Sequence, residues 1–92
     1  MAVVSSQVSV TDTPTVLFTA SVQHHLNLQF LSSVSGQGVD LGGATVVRYS
    51  GYEFGPGSLV NVLALDLKAG DSLYAVADTG NTVIVMVLAN PN

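Results

Sequence analysis

His24, His25, six carboxylates and many serines and threonines are the side chains from which chemistry would have to be built in this 92-residue chain, which has no cysteine. Consecutive residues of a strand point to opposite faces, so His24 and His25 cannot readily grip one ion, and no third ligand stands at a useful spacing. The reading is structural: His24 hydrogen-bonded at the core margin, His25 solvated or at an interface. Asp40, Asp66, Asp71 and Asp78 are scattered among turns and form no Asp-x-Asp-x-Asp-Gly loop of the kind that wraps calcium. Asp71 after Gly70, and Asp78 before Thr79 and Gly80, read as turn residues that bond nearby backbone N–H groups. A nucleophilic serine would need a Gly-x-Ser-x-Gly elbow or a histidine in a supporting context, and neither exists. No catalytic, cofactor or metal residue is therefore expected, and the chain reads as non-enzymatic.

Only 9% of the residues are charged and 48% are apolar, against roughly 25% charged in an ordinary soluble domain. A surface so poor in charge is one meant to be covered. Two basic residues, Arg48 and Lys68, against six acidic ones leave a formal charge of −4. That excludes the clustered Lys and Arg of a phosphate-tracking surface, so nucleic acid is not an expected partner. The longest apolar run, Val83 to Ala89, falls far short of the roughly 20 residues of a spanning helix. The first residues have neither the basic start nor the apolar stretch of a secretory signal, so the expectation is a soluble chain made in the cytoplasm, without a membrane partner. The length suits one domain, residues 1–92, with 1–6 as a possible docking arm.

The elements that must position these residues read as strands. Apolar residues recur at every second position, and clusters of Gly, Pro, Asn, Asp and Ser interrupt them at short intervals. Expected strands are Val3 to Thr11, Thr15 to Ala20 (with Val16, Phe18 and Ala20 on one face), Val22 to Leu31, Val39 to Leu41, Ala44 to Tyr49, Leu59 to Leu67, Ser72 to Ala77 and Thr82 to Ala89. The third is the clearest: Val22, His24, Leu26, Leu28 and Phe30 share one face, and Gln23, His25, Asn27 and Gln29 the other. Ser32 to Gly38 and Asp78 to Asn81 read as hairpin loops, Lys68 to Asp71 as a turn, and the stretch from Ser50 to Ser58, with Gly55-Pro56-Gly57, as a crossing between sheets. The expected fold is all-β: a single-domain antiparallel β-sandwich or jelly-roll-like barrel of about eight short strands.

Leu59 to Leu65 and Val83 to Leu88 are apolar on both faces, although a two-layer sandwich has only one inner face per sheet. Either loops and termini cover the second face, or it meets another copy or a host protein. On the second reading Val60, Val62, Ile84 and Met86, with the loop around Tyr52, form the candidate protein interface. Tyr49, Tyr52 and Phe54 could make an adhesive aromatic patch. Against that, Phe54 reads better as a plug of the sandwich end.

The succession Val16-Leu17-Phe18-Thr19-Ala20, Leu28-Gln29-Phe30, Val39-Asp40-Leu41-Gly42-Gly43, Gly51-Tyr52-Glu53-Phe54-Gly55-Pro56-Gly57 and Leu63-Ala64-Leu65-Asp66-Leu67-Lys68-Ala69-Gly70-Asp71-Ser72-Leu73-Tyr74-Ala75-Val76 resembles small structural proteins of tailed bacteriophages. The likeness runs from about Val8 to Leu88, and its most distinctive part is Gly70-Asp71 followed by Leu73-Tyr74-Ala75-Val76. Asp40 stands where that pattern often has Tyr, and the polar loop from Ser32 to Gly38 is longer. The resemblance implies a virion component on the capsid exterior, a decoration protein that reinforces joints between major capsid proteins. Such proteins are commonly homo-oligomers, with a trimer favoured. The alternative is a tail or fibre module that binds a host receptor or carbohydrate. A weaker similarity, of Gly55-Pro56-Gly57 and Ala69-Gly70-Asp71 to the cupin barrel, lacks that family's metal-binding histidines and glutamate.

Overall fold

A computed structural model describes residues 3–30, 38–54, 62–78, 80 and 82–91. Eight strands run in the order β1 (Val4–Val10), β2 (Thr15–Thr19), β3 (His24–Phe30), β4 (Val39–Gly42), β5 (Tyr52–Phe54), β6 (Val62–Leu67), β7 (Ser72–Ala77) and β8 (Val83–Pro91). They form two four-stranded antiparallel sheets, β1-β8-β3-β6 and β2-β7-β4-β5. The pairs β1–β8, β2–β7, β3–β6 and β4–β5 nest inside one another. The chain is thus one long hairpin with its tip at β4–β5, rolled so that successive rungs fall in alternate sheets; β3–β8 and β4–β7 complete the two layers. That is the jelly-roll form of the β-sandwich.

The sequence explains why the layers face as they do. Leu26, Leu28 and Phe30 on β3 pair with Ala89, Val87 and Val85 on β8, Val10 on β1 pairs with Val83, and these residues and His24 are all buried. Leu73, Ala75 and Ala77 of β7, with Val39, Leu41 and Phe54, supply the opposing face of the core. Phe30 and Phe54 meet across it edge to face, ring centroids 5.9 Å apart. Phe54 is thus a plug within the core and no part of a surface patch. The turn from Lys68 to Asp71 closes as its residues predict, with Gly70 at φ 91°. There the Asp71 carboxylate accepts from the Lys68 N–H at 3.2 Å. Gly70 N–H in turn donates to Ala20 O at 2.7 Å, tying the turn to the end of β2.

Four sequence readings need correction. Ala44 to Tyr49 is not a strand: it belongs to the turns that join β4 to β5, with Val46 N–H on Gly43 O and Ser50 N–H on Val47 O. Its β-branched residues imitate a strand locally, but β4 and β5 pair with each other, and the segment is spent on returning the chain. Tyr52–Phe54 is itself a strand, so the crossing between sheets comes after Phe54; Gly55-Pro56-Gly57 lies outside the described residues. The two hairpin readings also fail. β3 and β4 lie in different sheets, as do β7 and β8, so both connections change layer. Finally, the register of β2 breaks between Val16 and Phe18, a bulge that buries Leu17 and leaves Val16 exposed, opposite to simple alternation.

Candidate functional site

Side chains on the outer face of β1-β8-β3-β6 follow from the register. Gln7, Met86, Gln29 and Val62 form one row across the four strands, and Ser5, Leu88, Asn27 and Ala64 the next. Ile84, Met86 and Leu88 therefore make an apolar ridge along β8, flanked by neutral polar groups. Ile84 and Met86 are half-buried by those flanks, while Val62 is 65% and Leu88 43% exposed. A shallow depression of about 400 Å³ lies between Met86, Leu88, Asn27, Gln29 and Val62. Among the described residues of this face the one carboxylate is Asp66, at a corner, where the His25 Nδ1–H donates to it at 2.8 Å across the strand pair.

Of the five expected interface residues, Val62, Ile84 and Met86 share this face; Val60 lies outside the described residues. Tyr52 does not join them. It pairs with Leu41 on β4, so its ring hangs from the inner side of the other sheet, at the open edge of the sandwich. There, with Leu41, Leu63, Leu65 and Leu73, it lines an apolar cleft of about 390 Å³. Tyr49, on the β4–β5 connection, stands apart from it, and with Phe54 in the core the three aromatics form no common patch.

The histidines fall on opposite faces, as alternation requires. His24 is buried, its Nδ1–H donating to Val22 O at 2.7 Å and its ring edge-on to Phe18 at 4.8 Å. His25 stands on the outer face with its carboxylate partner.

What sequence reasoning missed is a charged cluster on the outer side of β2-β7-β4-β5. Asp40, 1% exposed, lies on β4 opposite Val76. One of its oxygens takes Arg48 Nη1–H and the other the Gly51 N–H at 2.9 Å. Arg48 Nε–H also donates to Asp78 at 2.9 Å, Nη1–H reaches Glu53 at 3.4 Å, and the guanidinium stacks 4.2 Å over the Tyr49 ring. Asp78 is therefore a partner of Arg48 before it is a turn residue. Burial acts to raise the Asp40 pKa, but the backbone N–H groups of Tyr49 and Gly51 and the guanidinium overcome it and hold the carboxyl below its ordinary value. Burial likewise acts to lower the Arg48 pKa, and the Asp40 and Asp78 carboxylates more than reverse it. Tyr49 adopts φ 70°, and Val46 closes tightly over Gly42 and Gly51. The cluster has a structural logic: it pins the β4–β5 connection onto the sheet. Among the described residues no group of three His, Cys, Asp or Glu is placed to hold a metal ion.

Fold and faces together define a small jelly-roll domain that gathers Asp40, Arg48, Glu53 and Asp78 on one layer and offers a partly apolar outer face, with Asp66 at its corner, on the other. Comparison with protein-family models, with curated proteins and with solved structures finds no match for the chain.

Proposed function

We propose that this chain is a virion structural protein, a capsid decoration protein that docks on the outside of a phage head through the outer face of β1-β8-β3-β6. The observation that carries the proposal is the nearly uncharged ridge of Ile84, Met86 and Leu88 with Val62 beside it, on a sheet backed by a packed core. Exposed apolar patches rimmed by neutral polar groups are the mark of protein interfaces. A preformed sheet loses little freedom on docking, so more of the contact energy appears as affinity. A protein that binds only the assembled shell stabilises that shell by its binding free energy, repeated at every copy, and needs no chemistry of its own. Low charge lets acidic copies sit close together on the shell without strong mutual repulsion. The sequence resemblance to tailed-phage structural proteins supplies the partner, the major capsid protein.

The test is the copy number of this chain in purified virions, by quantitative mass spectrometry against the major capsid protein. Copies comparable in number to the capsid subunits are the expected result. A handful of copies would move the chain to the tail or a fibre, where the Tyr52 cleft becomes the surface to examine, and absence from the virion would overturn the structural role. Val62→Asp and Leu88→Asp alter exposed positions, so both variants are expected to fold and to fail to bind bare heads.

A further inference from the structure

Among the described residues four strands have a free edge: β1 and β6 in one sheet, β2 and β5 in the other. A free edge is a row of unpaired N–H and C=O groups ready to accept a foreign strand, and proteins ordinarily blunt it with charge, proline, bulges or brevity. Three edges here are blunted. β6 carries Asp66, β5 is three residues long and contains Glu53, and β2 begins just after Pro14 and is broken by its bulge. β1 has none of these devices. Its seven residues, Val4-Ser5-Ser6-Gln7-Val8-Ser9-Val10, contain no charge, no glycine and no proline, and pair with β8 in unbroken register. Among the described residues no strand pairs with its other edge. Val4 shares the inner face with Ala89 yet is 49% exposed, so this end of β1 extends past the layer that would cover it.

We infer that the free edge of β1 pairs antiparallel with β1 of a second copy, about a two-fold axis at Gln7. The strand is self-complementary in that register: Val4 faces Val10, Ser5 faces Ser9, Ser6 faces Val8, and Gln7 faces itself. Because the offset preserves parity, inner residues stay inner and outer residues outer, and the two sheets continue into one. Two copies of a chain of formal charge −4 meet at least electrostatic cost where carboxylates are absent. β1 is such a place, since the nearest, Asp12, falls beyond the paired segment. The contact is isologous and closes at two, which departs from the trimer implied by family resemblance. Its self-complementarity holds whatever the outer face docks onto, so it stands or falls separately from the virion role.

The absence of native cysteine makes the test clean. Directly opposed antiparallel residues have Cα atoms about 4.5–5.5 Å apart, within disulfide range. Gln7→Cys is therefore expected to cross-link chain to chain under mild oxidation. Ser5→Cys should not link to itself, its symmetry mate being about 13 Å away along the strand, but should link when mixed with Ser9→Cys. Gln7→Lys places two like charges on the axis. It should shift the sedimenting species from dimer to monomer while the circular dichroism spectrum stays unchanged. A wild-type chain that sediments as a monomer and gives no Gln7→Cys cross-link would overturn the inference. So would Ser5→Cys linking to itself as fast as Gln7→Cys, or β1 amides that become protected from exchange only when capsids are added, the last giving the edge to a different partner.

Discussion

Asp40 and Arg48 show how one buried pair organises its surroundings. The carboxylate is enclosed, yet each of its oxygens has a donor, and the guanidinium that serves it is itself satisfied by Asp78 and Glu53. Breaking such a pair from one side leaves a charge in a site without water. Arg48→Met should therefore cost about 3–5 kcal/mol of folding stability, a large part of the roughly 5–15 kcal/mol a domain possesses. Equilibrium urea unfolding would measure it, and a loss near zero would mean that Asp40 finds water or moves out. The pH dependence has a definite sign. Asp40 has its pKa depressed in the fold, so the folded state holds the proton more weakly than the unfolded chain does. Its contribution is complete above the unfolded value of about 3.9 and is lost as pH falls through the lower folded value. Melting temperature should accordingly drop on acidification below about pH 4, and Asp40→Asn should flatten that drop at the expense of stability near neutrality.

At the scale of elements, the connection from β4 to β5 depends on two glycines that give room to Val46. A Cβ on Gly51 would come within 2.6 Å of Leu41 O and 2.7 Å of Val46 Cγ2, and backbone oxygen cannot retreat cheaply. Gly51→Ala should cost about 1–3 kcal/mol, whereas Gly43→Ala, with nothing within 4 Å, should be nearly neutral; thermal melts of the two variants compare them directly. This connection is also where the sequence was least legible. Val46, Val47 and Tyr49 have the composition of a strand, and only the pairing of β4 with β5 shows that they lie outside one. By contrast β7 was legible to the residue and β3 to within two residues, because each carries a full stripe of core side chains between clear breaks. Val62, Ile84 and Met86 could be grouped from sequence since they make strands apolar on both sides. The placement of Tyr52 could not, because its face is fixed by a hairpin register that involves Leu41, eleven residues earlier. The Arg48 cluster was illegible for the same reason: Asp40, Glu53 and Asp78 converge only once β4, β5 and β7 lie side by side.

For the molecule as a whole, the nested pairing means that Val4 must find Ala89 and Val10 must find Val83, contacts that close almost the entire chain. Such topologies form late and fold slowly, on the order of milliseconds to seconds, so stopped-flow refolding in that range is expected. The division of charge between layers has a further consequence for association. Arg48, Asp40, Glu53 and Asp78 lie together with the β2-β7-β4-β5 layer, while the outer face of β1-β8-β3-β6 has only Asp66 among its described residues. Contacts made by that face gain little from Coulomb attraction, and the only long-range electrostatic force between copies is repulsion from the net charge of −4. Salt screens that repulsion, with a Debye length of about 8 Å at physiological ionic strength. Binding through the neutral face should thus hold or tighten slightly as salt rises from low to moderate concentration. An interface steered by opposite charges would instead lose association rate steeply. Binding to bare capsids measured across a salt series separates the two, and a steep loss with salt would move the docking surface to the charged layer around Arg48.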